Sequence, residues 1–141
     1  MCSKLKKFDV MVSFKTAVKN GFTKAFDFKG RATRAEYWWW TLFYWIVSFA
    51  VMMPGMLLCE IDSDLIMVAI IPMLIVYVVG LLPSLSLLVR RLHDTGRSAW
   101  WLLWTLVPYV GSFVVFIATV QASEPDNKYG PNPDNIPADS E

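Results

Sequence analysis

The sequence predicts an all-α integral membrane protein with three transmembrane helices, preceded by a basic amphipathic interfacial helix and followed by a disordered acidic tail. Three observations predict it. Apolar residues gather in three uncharged blocks, at residues 37–58, 65–89 and 100–120. As a helix rising 1.5 Å per residue, each block spans the ~30 Å hydrocarbon core of a bilayer. Every tryptophan (Trp38, Trp39, Trp40, Trp45, Trp100, Trp101 and Trp104) lies near the start of an apolar block that follows a basic segment. Tryptophan and Lys/Arg together mark the cytoplasmic membrane–water interface. Finally, 55% of the residues are hydrophobic, above the roughly 45–50% of a soluble domain.

Residues 1–27 read as a cytoplasmic basic segment. Within residues 5–26, Leu5, Phe8, Met11, Val12, Val18, Phe22 and Phe26 share one face on a 3.6-residue period, with Lys6, Lys7 and Lys24 off it. A basic helix with one apolar face lies flat among lipid headgroups. No short apolar segment with a small-residue cleavage site precedes residue 37, so no cleaved secretory signal is expected.

Residues 28–122 form the expected transmembrane domain. Thr33-Arg34-Ala35-Glu36 fits a capping box, which starts the first spanning helix near residue 34. That helix is expected to end near Pro54 and Gly55. The second block carries Pro72, Gly80 and Pro83 and is longer than a bilayer needs, so it should tilt or kink. The third carries Pro108 and Gly111, and is expected to cross as a kinked helix. Residues 123–141 are rich in Pro, Asp and Asn, bury little apolar surface and are expected to be disordered.

Charge orients the chain. Nine Lys/Arg precede residue 37. The connection at 59–64 has none, against Glu60, Asp62 and Asp64; the connection at 90–98 holds Arg90, Arg91 and Arg97. The tail holds Lys128 against Glu124, Asp126, Asp134, Asp139 and Glu141. Positive-inside counting predicts a cytoplasmic N-terminus, first connection outside, second inside, and the C-terminus outside, periplasmic in a Gram-negative cell. Cys2 and Cys59 then lie on opposite sides of the membrane and do not pair within one chain.

Three motifs occur in order: Phe28-Lys29-Gly30-Arg31-Ala32-Thr33-Arg34-Ala35-Glu36-Tyr37-Trp38, then Arg90-Arg91-Leu92-His93-Asp94-Thr95-Gly96-Arg97-Ser98-Ala99-Trp100-Trp101, then Asn127-Lys128-Tyr129-Gly130-Pro131-Asn132-Pro133. With them the chain resembles the domain of unknown function 805 family, the YhaH/YhaI type of bacterial inner membrane protein, over residues 20–133. Ala99 departs from the glycine expected there. The resemblance implies an inner (plasma) membrane location and a small multi-pass helical fold. It implies no reaction, cofactor or substrate, and carries over no catalytic residue.

The candidate site is the basic surface that residues 28–38 and 90–101 present together. Arg31, Arg34, Arg90, Arg91, His93 and Arg97 are candidate contacts for anionic lipid headgroups, because guanidinium forks match phosphate oxygens. The competing reading is that the arginines only set topology, while Asp94, Thr95 or Ser98 caps the third helix. Enzyme activity is not expected. His93 and Asp94 are adjacent and do not face each other on a helix. Asp94-Thr95-Gly96 matches an aspartic-protease tripeptide, but that chemistry needs two carboxylates. One histidine is poor material for a metal site, and phosphate-loop and dinucleotide fingerprints are missing. No cofactor and no nucleic acid is expected. The expected partners are membrane lipids, anionic ones included, with a second copy or another membrane protein as further candidates. The alternative role is a subunit of a small oligomeric channel or transporter, although the spans lack the ionisable residues that coupled transport uses.

Overall fold

The computed structural model describes residues 12–135. Leu5, Phe8, Met11 and Cys2, and the last residues of the tail, lie outside that range. The described residues are all-helical in their regular structure: α1 (Phe14–Thr23), α2 (Arg34–Ile61), α3 (Ile66–Asp94) and α4 (Val110–Val120), with a 3-10 segment at Ala99–Leu106. Helices α2 and α3 are each long and apolar enough to cross a membrane. Only 6% of the most apolar stretch of α2 and 11% of that of α3 is buried. The core helix of a soluble protein would be mostly buried, so these side chains face lipid.

Helix α1 starts at Ser13, whose hydroxyl accepts from the Thr16 amide at 3.3 Å. It docks across the start of α2, with Phe14 edge-on to Trp39 at 5.7 Å and Phe22 edge-on to Trp40 at 5.0 Å. Its buried residues are Ala17 and Gly21, so the docking face is built from small residues, while Phe26 stays exposed. Ser86 on α3 pins the end of this segment by donating to Lys24 O at 2.8 Å and Asp27 O at 2.6 Å.

Thr33 caps α2 as expected, accepting from the Glu36 amide at 3.1 Å. The helix does not stop at Pro54 and Gly55 but runs to Ile61. Gly55 lies against Ala69 of α3, so the two helices stay in close contact beyond the proline. The chain reverses at Asp62, whose side chain accepts from the Asp64 amide at 2.9 Å. Helix α3 has 29 residues, or ~44 Å, well beyond the ~30 Å hydrocarbon core. Its last two turns, from Leu87 to Asp94, are almost wholly buried in protein.

The third apolar block is not one helix, which corrects the expectation for residues 100–120. It divides into the eight-residue 3-10 segment and the eleven-residue α4. Pro108 has no amide to continue the first piece, and Tyr109 takes a left-handed φ of 63°. The two pieces then pack on each other as a hairpin. Each is ~16 Å long, about half the hydrocarbon thickness. The turn satisfies its own backbone: the Val107 amide donates to Trp104 O at 2.9 Å and the Gly111 amide to Val107 O at 3.0 Å. Gly111 sits directly against the Trp104 carbonyl, where a Cβ would collide with backbone. Gly111→Val is therefore expected to destabilise the protein by about 1–3 kcal/mol, the usual cost of overpacking. A melting curve in detergent that superimposes on wild type would refute this.

The hairpin returns the chain to the end of the helix pair where it began. The tail, expected to be disordered, has its described residues 123–135 folded against the end of α3. The Glu124 amide donates to Asp94 O at 3.0 Å, and Ser123 Oγ to Asp94 Oδ2 at 2.6 Å. The expectation of disorder counted composition along the chain, which does not register these long-range hydrogen bonds.

Candidate functional site

The site forms where the buried end of α3 meets the segment before α2 and the tail. Helix α3 ends in a Schellman motif: the Gly96 amide donates to His93 O at 3.1 Å and the Arg97 amide to Leu92 O at 2.9 Å. Gly96, at φ 71°, supplies the left-handed residue the motif needs. This termination leaves Asp94 in the last turn, fully buried.

Asp94 is the hub. Its Oδ1 accepts from Arg31 Nε at 2.9 Å and lies 2.8 Å from Arg31 Nη2. Its Oδ2 accepts from Arg91 Nη1 and from Ser123 Oγ. The side chains of Arg31, Arg91 and Asp94 are 2%, 0% and 0% exposed. Two buried guanidinium groups on one carboxylate leave an excess positive charge, and backbone carbonyls compensate it. Arg31 Nη1 donates to Pro125 O at 2.9 Å and Gly130 O at 3.0 Å. Its Nη2 donates to Glu124 O at 2.5 Å and Asp94 O at 3.2 Å. Arg91 Nε donates to Thr119 O at 3.1 Å, and its Nη2 to Gln121 O. The last carbonyls of a helix form the negative end of its dipole, so Arg31 on Asp94 O and Arg91 on Thr119 O are also well placed for the fields of α3 and α4.

The tail closes over this knot as a strap. Asn127 and Gly130 pair through both backbone bonds, at 3.1 and 3.0 Å. Asn127 Nδ2 donates to His93 O at 3.0 Å, and the Tyr129 amide donates back to Asn127 Oδ1 at 2.9 Å. The Tyr129 ring stacks on the His93 imidazole at 3.9 Å and 5°. His93 Nδ1 lies 3.3 Å from Gly30 O, so the ring joins the segment before α2 to the strap.

The six candidate residues have different surroundings. Arg31, Arg91 and His93 belong to the knot. Arg90 is buried beside Glu36, with Nη1 3.4 Å from Oε1, while its Nε and Nη2 find no hydrogen-bond partner among the described residues. Arg34 is exposed, and its Nη1 makes a long 3.5 Å contact with Val120 O. Arg97 is half-buried, bonds Gln121 Oε1 at 2.5 Å and lies 4.7 Å over the Trp101 ring. Arg34 and Arg97 therefore flank the end of α4 and offer cationic surface. Sequence reasoning offered Asp94 as one of three possible helix caps, quoted Asn127 and Tyr129 in a motif without giving them a role in the site, and did not single out Ser123. Two like-charged arginines one turn from a buried-type Asp, and an Asn-Lys-Tyr-Gly turn in an otherwise polar tail, were the signals present.

The three sequence motifs thus converge on one structure: Arg31 comes from the first, Arg91, His93 and Asp94 from the second, and Asn127, Tyr129 and Gly130 from the third. The family described as Protein of unknown function (DUF805) matches residues 25–131, which contain the whole knot. The chain belongs to this family. It is 36% identical over 109 residues to Inner membrane protein YhaH of Escherichia coli (strain K12), covering 75% of this chain and 86% of the relative. To Inner membrane protein YhaI of the same organism it is 37% identical over 108 residues, covering 75% and 85%. These relatives are named for a location, not a reaction. No solved structure matches the chain. The protein is accordingly a multi-pass membrane protein of the inner membrane, and the knot is a feature of the part it shares with its family.

Proposed function

We propose that this protein is a non-enzymatic, lipid-interacting protein of the inner membrane whose cytoplasmic face contacts anionic headgroups. In this reading α2 and α3 cross the bilayer and α1 lies along the interface. Residues 99–120 dip into one leaflet and return, which keeps the tail on the cytoplasmic side. Charge supports the orientation: the strap, Lys29, Arg34 and Arg97 share one end, and the other end carries Glu60, Asp62 and Asp64.

The observation that carries the reading is the division of labour among the arginines. Arg31 and Arg91 are saturated by Asp94 and by carbonyls, whereas Arg34 is exposed and Arg97 half-buried at the membrane edge. Each surface cation near an anionic leaflet contributes about 1 kcal/mol. Arg34→Gln with Arg97→Gln is expected to weaken retention of phosphatidylglycerol roughly 30-fold, from ~2 kcal/mol at 1.4 kcal/mol per tenfold. Native mass spectrometry of the extracted protein reads this directly, with phosphatidylcholine as the reference. Equal retention by the double variant and wild type would reject the headgroup contact. Arg91 is unsuitable for this test, because its removal dismantles the knot.

A further inference from the structure

We propose that the cleft between α2 and α3 below Arg34 seats one acyl chain of an anionic phospholipid whose phosphate rests on Arg34. This deepens the headgroup reading and rests on it. The cleft has a volume of about 320 Å³, within the size range of ligand sites. Tyr37, Thr41 and Tyr44 form one wall, and Leu81, Leu85 and Leu88 the other. The polar pair on its floor is already satisfied, since Trp40 Nε1 donates to Ser84 Oγ at 3.0 Å. Thr41 Oγ1 likewise donates to Tyr37 O at 2.8 Å. What remains for an occupant is largely hydrocarbon surface.

Position and charge select the occupant. Arg34, Tyr37, Thr41 and Tyr44 follow a spacing of three, four and three residues, which places them on one face of α2. Arg34 therefore stands one turn beyond the cleft, and the exposed Trp38 and Trp39 lie at the level of the cleft's mouth. From Arg34 to Tyr44 the helix rises ~15 Å, the hydrocarbon depth of one leaflet. A phospholipid with its phosphate at Arg34 thus has its chain at the depth of the cleft. The larger cleft at the other end of the pair, about 560 Å³, reaches Glu60 instead. Asp62 and Asp64 lie beyond it and no basic residue is present in that connection, so an anionic headgroup is repelled there. The charge at its mouth distinguishes the cleft below Arg34.

The test uses the full chain reconstituted in mixed phosphatidylglycerol–phosphatidylcholine vesicles. One sample contains phosphatidylglycerol with a photoreactive group on its acyl chain, and a second contains phosphatidylcholine with the same chain. Peptide mapping after illumination is expected to place the phosphatidylglycerol label on residues 37–44 and 81–88, several-fold above the phosphatidylcholine label. Leu85→Trp, which fills the cleft from a lipid-facing position, is expected to abolish that excess. Equal labelling by both lipids, label spread evenly along α2 and α3, or an excess that survives Leu85→Trp would each overturn the cleft. Loss of phosphatidylglycerol retention in the Arg34/Arg97 variant, without preferential cleft labelling of wild type, would overturn the cleft alone. Unchanged retention in that variant would overturn the headgroup reading as well.

Discussion

Asp94→Ala is expected to destabilise the protein by about 3–5 kcal/mol, the cost of removing one partner from a buried ionic cluster. Among the described residues this carboxylate is the one acidic group that pairs with both Arg31 and Arg91, and all three side chains are buried. Without it, two like charges remain in a protein interior with carbonyl oxygens alone to hold them. The strap should loosen at the same time, because Ser123 also loses its acceptor. Lys128 lies on the exposed surface of the strap, so the rate of tryptic cleavage there reports strap opening independently of global unfolding. Removing one of the two stranded charges as well should recover part of the loss, because an uncompensated buried charge is the source of the penalty. Asp94→Ala with Arg91→Met is therefore expected to be more stable than Asp94→Ala alone. If Asp94→Ala melts with wild type and Lys128 is cut no faster, Asp94 is not the hub.

The second large effect concerns sidedness. In a chain with Cys2→Ser and Cys59→Ser, Asp64→Cys is expected to react fully with a membrane-impermeant maleimide added to cells with a permeabilised outer membrane. Ala122→Cys is expected to stay unlabelled until the inner membrane is opened, although it is exposed in the structure. The reason is geometric. Gln121, Ser123 and Glu124 contact Arg91, Asp94 and Arg31, and Arg97 reaches Gln121 at 2.5 Å. For residues 100–120 to cross the bilayer, all of these bonds must break and leave Arg31 and Arg91 buried with Asp94 alone. Labelling of Ala122→Cys from outside, at the rate of Asp64→Cys, would show that the third block does cross.

Much of the architecture was legible along the chain. The two long apolar runs became α2 and α3, because an uncharged helix of that length has only lipid to face. Thr33 was readable as a cap, since the cap bond joins residues three apart. The candidate region was readable too: residues 28–38 and 90–101 do meet. The partners of each arginine were not. Arg31 and Asp94 are 63 residues apart, and Arg31 and Gly130 are 99 apart. Local spacing carries no trace of such pairs. Tyr129 and His93 likewise reveal their stacking only once the tail has folded back.

By itself, then, the sequence determined the solvent of this protein, the two crossing helices and the end at which its positive charge collects. These follow from transfer free energies and helix geometry, which sum along the chain. Tertiary structure decided the path of residues 100–120 and the use of the arginines. Apolar length has the same transfer free energy whether a block runs on as one helix or turns back at Pro108. The choice falls to the hydrogen bonds that satisfy the turn and to the carbonyls of Thr119, Gln121 and Glu124 that arrive at Arg91 and Arg31 only when it does turn back.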